Sequence, residues 1–283
     1  MAGALEPRLL ESADREAAVR FLSRDAVANL FLLDLAANLG RRSVPGEAQT
    51  EIVAVWQNGE IVGMAALHPT VILDANAGEE AVEAFMPYLR RLKVGLVKSP
   101  VPAVDLLWDQ LSARRSRRVL VDRIEIAYAL CERDWKPVAP MAADSARRAR
   151  DGDLDDLVVA ARESLREEDR PDPFLGDVAS FRRWVHARVA RARVVEIEGR
   201  VAMVGYADVQ RPEGWLLQGI YTWPDCRQRG LASFGVSELC REAFRAGADH
   251  VQLAVVEGNA AAQRLYESLG FKPFAKLRTI LFT

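Results

Sequence analysis

The chain repeats one order of secondary-structure signals in its two halves, and this repeat limits the fold more than any other feature. Apolar runs flank Asn58-Gly59 in the first half and Glu198-Gly199 in the second. Asn-Gly favours the positive φ angles of a tight hairpin turn, and Glu-Gly is a weaker form of the same signal. The sequence therefore predicts one β-hairpin per half, over 51–67 and 194–209.

A strand and a helix precede each predicted hairpin. Residues 7–14 are typical of a short strand that ends at a helix cap, where Ser12 and Asp14 can accept hydrogen bonds from unpaired amides. The pattern recurs at Asp151-Gly152-Asp153, after which apolar residues follow at helical spacings of three and four. Each half of the 283 residues thus has about the length of a single domain.

The charge balance argues against a nucleic-acid or membrane partner. Lys and Arg number 38 against 40 Asp and Glu, which gives a net charge of −2. Such a chain has no global field that would draw it onto polyanions. The basic run 114–118 lacks interleaved aromatic residues, so it is interpreted as a solvated loop or helix end.

The cysteines and the N-terminus predict a cytoplasmic protein. Cys131, Cys226 and Cys240 are widely spaced and have no nearby histidine cluster, so no metal site is expected. Charged residues interrupt the N-terminus before any apolar run of signal-peptide length, and no stretch reaches the roughly 18 apolar residues of a membrane span.

A polar connector separates the two halves. Residues 131–140 contain two prolines among charged residues, which suits a linker better than the interior of an element. The predicted domains are therefore 1–135 and 136–283.

The first chemical signal is a predicted strand, loop and helix between Trp215 and Phe244. The strand stops at Trp223-Pro224, and small residues, Gly230 and Ala232, lie where the helix begins. Unpaired amides at the positive end of a helix dipole bind phosphate, to which Arg227 or Arg229 could add a charged contact. A plain strand–loop–helix junction is the alternative. The predicted buried face of the helix consists of Leu231, Phe234, Cys240, Ala243 and Phe244.

A second signal follows the predicted strand 251–256. Asn259 is a good helix cap and Gly270 a good helix stop. Between them, Ala262, Leu265 and Leu269 form an apolar face.

Together the two signals resemble the GCN5-related N-acetyltransferase (GNAT) superfamily. The pyrophosphate loop of that family, Arg/Gln-x-x-Gly-x-Gly/Ala, is matched by Arg227, Gly230 and Ala232. Its later motif, Asn-x-x-Ala-x-x-Leu-Tyr-x-x-x-Gly-Phe, is matched by Asn259, Ala262, Leu265, Tyr266, Gly270 and Phe271. The resemblance is specific over about 145–283 and only architectural before it.

The resemblance implies an α/β fold of two tandem acetyltransferase-like domains. Each would have a mixed, mostly antiparallel sheet flanked by helices and splayed at the cofactor site. It also implies transfer of the acetyl group of acetyl-CoA to a primary amine. The implied cofactor-binding residues are Ile220, Tyr221, Thr222, Arg227, Gln228, Arg229, Gly230, Leu231, Ala232, Ser233, Asn259 and Ala262.

Tyr266 is the implied catalytic residue, the general acid for the departing thiolate, and its alternative role is that of a core aromatic. Where many members of the family carry a strand Glu as base, this chain has Gln218. Asp208 and Glu257 are substitutes, and proton loss through ordered water is a further alternative.

The first half lacks both cofactor motifs, so the resemblance is to tandem members with a degenerate N-terminal half. The rival hypothesis is a non-catalytic module that binds acyl-CoA as a regulatory ligand. A small-molecule or protein amine acceptor and a monomer or homodimer are expected. The sequence does not identify the acceptor, the acyl-chain preference or the role of the first half.

Overall fold

The computed structural model describes residues 3–41, 50–68, 70–114, 116–139 and 145–283. These residues form two compact units. Residues 3–41, 50–126 and 275–283 belong to the first unit, and residues 127–274 belong to the second. The last residues of the chain therefore return to the unit in which the chain begins.

In the first unit a strand and helices precede the hairpin, as predicted, and helices alternate with strands after it. Its elements are β1 (Glu6–Leu9), α1 (Arg15–Leu22), α2 (Ala26–Ala37), β2 (Glu51–Gln57), β3 (Glu60–His68), β4 (Ile72–Leu73), α3 (Glu79–Leu89), β5 (Gly95–Pro100), α4 (Val101–Arg114) and β6 (Val119–Leu130), whose last four residues belong to the second unit.

Alternation along β2 gives the first unit two cores. β1, β2, β3 and β4 form an antiparallel sheet in that order. Ile52 and Ala54 pack with the buried residues of α1 and α2, whereas Val53 and Val55 pack with those of α3 and α4. Successive strand residues point to opposite faces, so a strand with helices on both faces has buried residues at every position.

The second unit repeats the same order. Its elements are β7 (Ser145–Arg148), α5 (Leu154–Glu167), α6 (Val178–His186), β8 (Ala192–Ile197), β9 (Arg200–Arg211), β10 (Gly214–Thr222), α7 (Leu231–Arg245), β11 (Val251–Val256), α8 (Ala260–Ser268) and β12 (Lys272–Phe282), which continues into the first unit from Ala275.

Helix α7 packs closely on the sheet of the second unit. β7, β8, β9 and β10 are antiparallel neighbours, and β11 lies parallel to β10. A Cβ on Gly235 of α7 would lie 2.5 Å from Met203 Sδ, so a side chain there would have to displace the buried Met203 side chain. The predicted buried face of α7 is confirmed, since Leu231, Phe234, Cys240, Ala243 and Phe244 are all buried.

One ion pair occurs at equivalent places in both units. Arg8 binds Asp14 through two hydrogen bonds of 2.7 and 2.8 Å, and Arg147 binds Asp153 through two of 2.8 and 2.9 Å. In each unit the aspartate also accepts from the amide three residues before it, at 2.9 and 2.7 Å. Asp14 therefore closes the turn before α1. The prediction that its side chain caps the helix is wrong.

Both predicted hairpins are present, and both turns have positive φ at the two central residues. The φ angles are +53° and +82° at Asn58 and Gly59, and +50° and +78° at Glu198 and Gly199. Asn tolerates the left-handed conformation better than Glu, whose longer side chain does not hydrogen-bond locally in its place.

Replacing Glu198 with asparagine is expected to stabilise the second unit by about 0.5–1 kcal/mol, because it relieves the left-handed strain at an exposed position. Chemical denaturation measures the change. The reverse exchange, Asn58→Glu, should destabilise the first unit by a similar amount, and equal stabilities for all three proteins would contradict this reading of the turns.

The predicted connector is packed against the second unit. Lys136 N–H donates to Leu269 O at 3.0 Å, and Val138 N–H donates to Ser237 Oγ at 3.0 Å. Its proline at position 140 lies outside the described residues. The basic run begins at the end of α4, as predicted, although residue 115 also lies outside them. Within the described ranges, no helix has the length and apolar character needed to cross a bilayer.

Candidate active site

Strands β10 and β11 separate soon after they pair. They are joined in register only at Trp215 with Val251 and at Leu216 with Gln252. β10 continues along β9 as far as Thr222, so its other edge is not paired with β11 beyond Leu216. Main-chain groups on an unpaired strand edge can hydrogen-bond an extended ligand. The splay that the resemblance implied is therefore present.

A bulge interrupts β10 beside this gap. The register with β9 skips Gly219 and Ile220 between the paired residues Gln218 and Tyr221. Gly219 has a φ of +57°, and a Cβ on it would lie 2.9 Å from the Tyr206 ring. Both the backbone conformation and the close ring require glycine. A bulge removes residues from the ladder, which leaves their amides available to a ligand.

Helix α7 begins with an open N-terminus. Gly230 precedes it at a φ of +80°, no side chain caps it, and its first turn has no acidic residue. Phe234 N–H makes the first helical hydrogen bond, to Gly230 O at 3.0 Å. Across the described residues, the amides of Leu231, Ala232 and Ser233 have no main-chain acceptor. Such a helix end attracts an anion through its amides and its dipole.

Arg227 braces the loop that leads into α7. Its Nε donates to Thr222 O at 3.0 Å, and its Nη2 lies 2.5 Å from Glu167 Oε1. Gln228 has a φ of +59°, which turns the chain toward the helix. Arg229 is exposed and has no ion pair among the described residues. Two arginines were predicted near phosphate. Arg229 is the one whose side chain can turn to an anion without losing contacts to Thr222 and Glu167.

Both predicted boundaries of α8 are confirmed. Asn259 Oδ1 accepts from Ala262 N–H at 3.1 Å, and Gly270 follows the helix at a φ of +99°. Because the cap uses the side-chain oxygen, the NH2 group of Asn259 is the part that can reach a ligand.

The Tyr266 side chain lies in the core between α8 and its neighbours. It is 8% exposed, and its ring packs against Phe271 at 5.8 Å. Burial, with the Cys240 thiol nearby, raises the pKa of Tyr266 above its usual value. No described residue accepts a hydrogen bond from its hydroxyl. The hydroxyl is therefore protonated at neutral pH and able to donate to a ligand.

The structure gives each substitute base a different environment. Asp208 is bound by Arg188, whose Nη2 lies 2.5 Å from its Oδ2, so its carboxylate is already engaged. Glu257 is exposed next to Gly258. Gln218 lies in β10 at the start of the bulge and cannot accept a proton at neutral pH. Of these groups, none combines a basic side chain with an unengaged position at the bulge.

His250 lies at the closed end of the gap. It is 3% exposed, its Nε2 is buried without a partner in the described structure, and its ring fills the place of a Gly214 side chain. Burial lowers the pKa of His250, although Asp249 and the Glu213 carbonyl oppose this shift.

Lowering the pH from 7 to 5 is therefore expected to destabilise the protein. The unfolded chain binds a proton at His250 near pH 6.5, whereas the folded chain resists it, so stability falls as the pH drops below about 6.5. The slope contributed by this group reaches about 1.4 kcal/mol per pH unit. Denaturation of the wild type and of His250→Gln across this range should show a shallower dependence of the unfolding free energy on pH in the variant. Equal slopes would mean that another group causes the pH dependence.

Among its described residues, the first unit has no such gap at the corresponding strand, β4. Leu73 N–H, on β4, donates to Ser99 Oγ, on β5, at 2.8 Å. Val71 N–H donates to Leu96 O at 2.8 Å, and Lys98 N–H donates to Val71 O at 3.0 Å. The edge of β4 is therefore occupied by groups of the protein itself.

In the first unit the helix that corresponds to α7 is α3, and acidic residues lie at its N-terminal end. Gly78 precedes α3 at a φ of −85°, and Glu79 and Glu80 lie in its first turn. Asp74 is buried before it, accepts from Met64 N–H at 2.8 Å, and has a pKa raised by burial. Two glutamates at a helix N-terminus repel a phosphate that the helix dipole would otherwise attract.

Comparisons with known proteins show what the chain is similar to. Residues 152–271 match the model of the acetyltransferase (GNAT) family. A structure from Drosophila aligns over 99% of both chains with a TM-score of 0.73 at 14% identity. A tandem GNAT protein from the clavulanic acid biosynthesis pathway aligns over 98% of both chains with a TM-score of 0.57 at 17% identity. Residues 152–271 therefore form a domain of the GNAT family.

The chain's similarity to a further GNAT protein, from Sphaerobacter thermophilus, covers 98% of this chain and 95% of the other, with a TM-score of 0.59 at 17% identity. A comparison with curated proteins gives no match. At these identities the solved structures show the tandem GNAT fold and leave the acceptor open.

The fold places the predicted site residues of the GNAT domain on four local features. Ile220 lies in the bulge and Tyr221 and Thr222 follow it, Gln228–Ser233 form the loop and the open helix end, and Asn259 and Ala262 form the cap of α8. Sequence reasoning missed Arg188, which follows α6, lies over the Trp184 ring and donates to Asp208 of β9. Contact of these residues with acetyl-CoA stays a prediction.

Proposed function

We propose that the second unit binds acetyl-CoA and transfers its acetyl group to a primary amine. The observation that carries this proposal is the uncapped N-terminus of α7 beside a gap between two parallel strands, with the bulge in one of them. An anion site and an unpaired strand edge in one chain segment suit a ligand with a pyrophosphate at one end of an amide-containing arm.

Different residues contact different parts of acetyl-CoA in this proposal. The amides of Gln228–Ser233 hold the pyrophosphate, and Arg229 adds a charge-assisted contact. The main chain of Ile220–Thr222 pairs with the pantetheine arm, and the NH2 group of Asn259, at the cap that bonds Ala262, contacts the same arm. Arg227 acts through its brace to Thr222 and Glu167.

The chemistry proceeds by direct transfer. Acetyl-CoA supplies an activated thioester carbonyl. A bulge amide of β10 donates to the carbonyl oxygen as an N–C bond forms and the C–S bond breaks, and Tyr266 donates a hydrogen bond to the departing sulfur. Because Gln218 is not a base, the amine loses its proton to water.

Binding without turnover is the second candidate function. The engaged Asp208 carboxylate and the amide of Gln218 favour it, because neither offers a base at the bulge. In this hypothesis the second unit senses the level of acyl-CoA.

A thiol-release assay separates the two functions. Purified full-length protein is mixed with acetyl-CoA and a panel of primary amines, and coenzyme A production is followed. Acceptor-dependent release, with the acetylated amine identified by mass spectrometry, supports the transferase. Intact binding of acetyl-CoA by calorimetry without release across the panel would support the regulatory module, and loss of both would overturn the site.

A further inference from the structure

A charged pair occupies the α6 face of the sheet in the second unit. Arg188, which follows α6, donates to Asp208 of β9 from Nη2 at 2.5 Å and from Nε at 3.3 Å. The side chains are 15% and 9% exposed. Arg191 Nε lies 4.0 Å from the same carboxylate.

Two aromatic rings fix the orientation of this guanidinium. The Arg188 Cζ lies 4.2 Å from the centroid of Tyr206 and 5.1 Å from that of Trp184. Stacking holds the planar group as a rigid fork, and this geometry matches a carboxylate. Burial raises the pKa of Tyr206 to about 12, so its ring stays neutral beside the charges.

The pair lies next to the bulge in β10. A Cβ built on Gly219 would meet the Tyr206 ring at 2.9 Å and Arg188 Nη2 at 3.9 Å. The missing side chain of Gly219 therefore lets the guanidinium approach the strand at the point where the proposed reaction takes place. An amine that attacks there passes close to Arg188.

Stability does not explain why a charged pair is kept at this place. Removing two charges from water offsets much of their attraction, and apolar side chains of similar volume often serve a fold as well. An arginine–carboxylate pair can instead exchange partners with a ligand. A ligand carboxylate takes the place of Asp208 on the guanidinium, and a ligand ammonium takes the place of Arg188 on Asp208.

We propose that Arg188 and Asp208 recognise the acceptor, and that the acceptor is an amino acid or a related amine with a carboxylate beside its amino group. This proposal rests on the proposed transferase function and specifies its substrate class. An acceptor with cationic groups only, such as a polyamine, would meet two arginines at this site and be disfavoured.

Matched pairs of acceptors test the proposal on the wild-type protein. Each of a set of α-amino acids is compared with the amine formed by its decarboxylation, for example phenylalanine with phenethylamine and glutamate with 4-aminobutyrate. For the preferred amino acid, kcat/KM should exceed that of its decarboxylated partner by about 10–100-fold, the range for a lost charge-assisted pair. Equal or better turnover of the decarboxylated amines would overturn the acceptor proposal and leave the transferase function standing.

Variants then test whether Arg188 is the residue that recognises the acceptor. Arg188→Met should remove the preference by raising KM for the amino acid about 10–100-fold while KM for acetyl-CoA stays unchanged. The matched control is Arg211→Met, at the end of strand β9, where Arg211 pairs with Glu213 at 2.9 Å outside this cluster. Retention of the preference in Arg188→Met, or its loss in Arg211→Met, would contradict the assignment. Failure to bind acetyl-CoA in the wild type would instead contradict the proposed function.

Discussion

Replacing Ala232 with glutamate is expected to weaken coenzyme A binding by about 100-fold and to leave the fold intact. Ala232 is the second residue of α7, where a carboxylate lies among the amides assigned to the pyrophosphate. Two negative groups about 4 Å apart near a protein surface repel each other by several kcal/mol, which exceeds the roughly 3 kcal/mol needed. Isothermal titration calorimetry measures the loss.

The effect on stability should have the opposite sign. A glutamate in the first turn of a helix interacts favourably with the helix dipole, by about 0.3–1 kcal/mol, so the variant should be as stable as the wild type or slightly more so. Ala232→Gln is the matched control, because it adds similar bulk without charge and should cost much less affinity. Unchanged binding in Ala232→Glu would place the phosphates elsewhere. Gly230→Glu should also abolish binding, but its φ of +80° adds backbone strain.

The first unit has a glutamate at the helix position that corresponds to Ala232. Glu80 is the second residue of α3, as Ala232 is of α7, and Glu79 precedes it. The comparison within one chain gives a physical reason for a degenerate first half. Its helix end is acidic and its strand edge is bonded through Ser99.

Replacing Tyr266 with phenylalanine is expected to lower kcat by about 100-fold with little change in KM for acetyl-CoA. The exchange removes a hydroxyl that no described residue accepts from and keeps the ring that packs on Phe271 at 5.8 Å. The lost interaction is therefore the one with the departing sulfur, made mainly in the transition state. Steady-state kinetics with the best amine acceptor measures it.

Tyr128→Phe is the matched control for this prediction. Tyr128 lies in the same unit, and its hydroxyl donates to Glu267 at 3.1 Å, so its removal should leave kcat unchanged. An unaltered kcat in Tyr266→Phe, under conditions where chemistry limits the rate, would leave Tyr266 with a packing role only.

Local signals in the sequence identified most elements. Asn58-Gly59 marked a hairpin because few residues accept two positive φ angles, and Asn259 and Gly270 marked the ends of α8 for similar reasons. The apolar residues of α2 run almost without interruption, as suits a helix in which Leu30, Leu32 and Leu33 are all buried.

Features that depend on contacts between distant residues could not be predicted from local sequence patterns. Gly219 lies in an apolar strand-like run, and only the register with β9 reveals the bulge around it. Arg227 and Arg229 look alike in sequence, yet Glu167, sixty residues earlier, determines which of them braces the loop. The membership of residues 275–283 in the first unit depends on pairing of β12 with β5, which no local propensity encodes.

A calorimetric titration with coenzyme A tests the central claim most directly, since it counts the sites and locates them. The open helix end and gap of the second unit, together with the closed counterpart in the first, predict one coenzyme A per wild-type chain. Binding should be lost in Ala232→Glu at the same concentrations and retained in Glu80→Gln, still at one per chain. Two coenzyme A molecules per wild-type chain, or one per chain that persists in Ala232→Glu, would contradict the account.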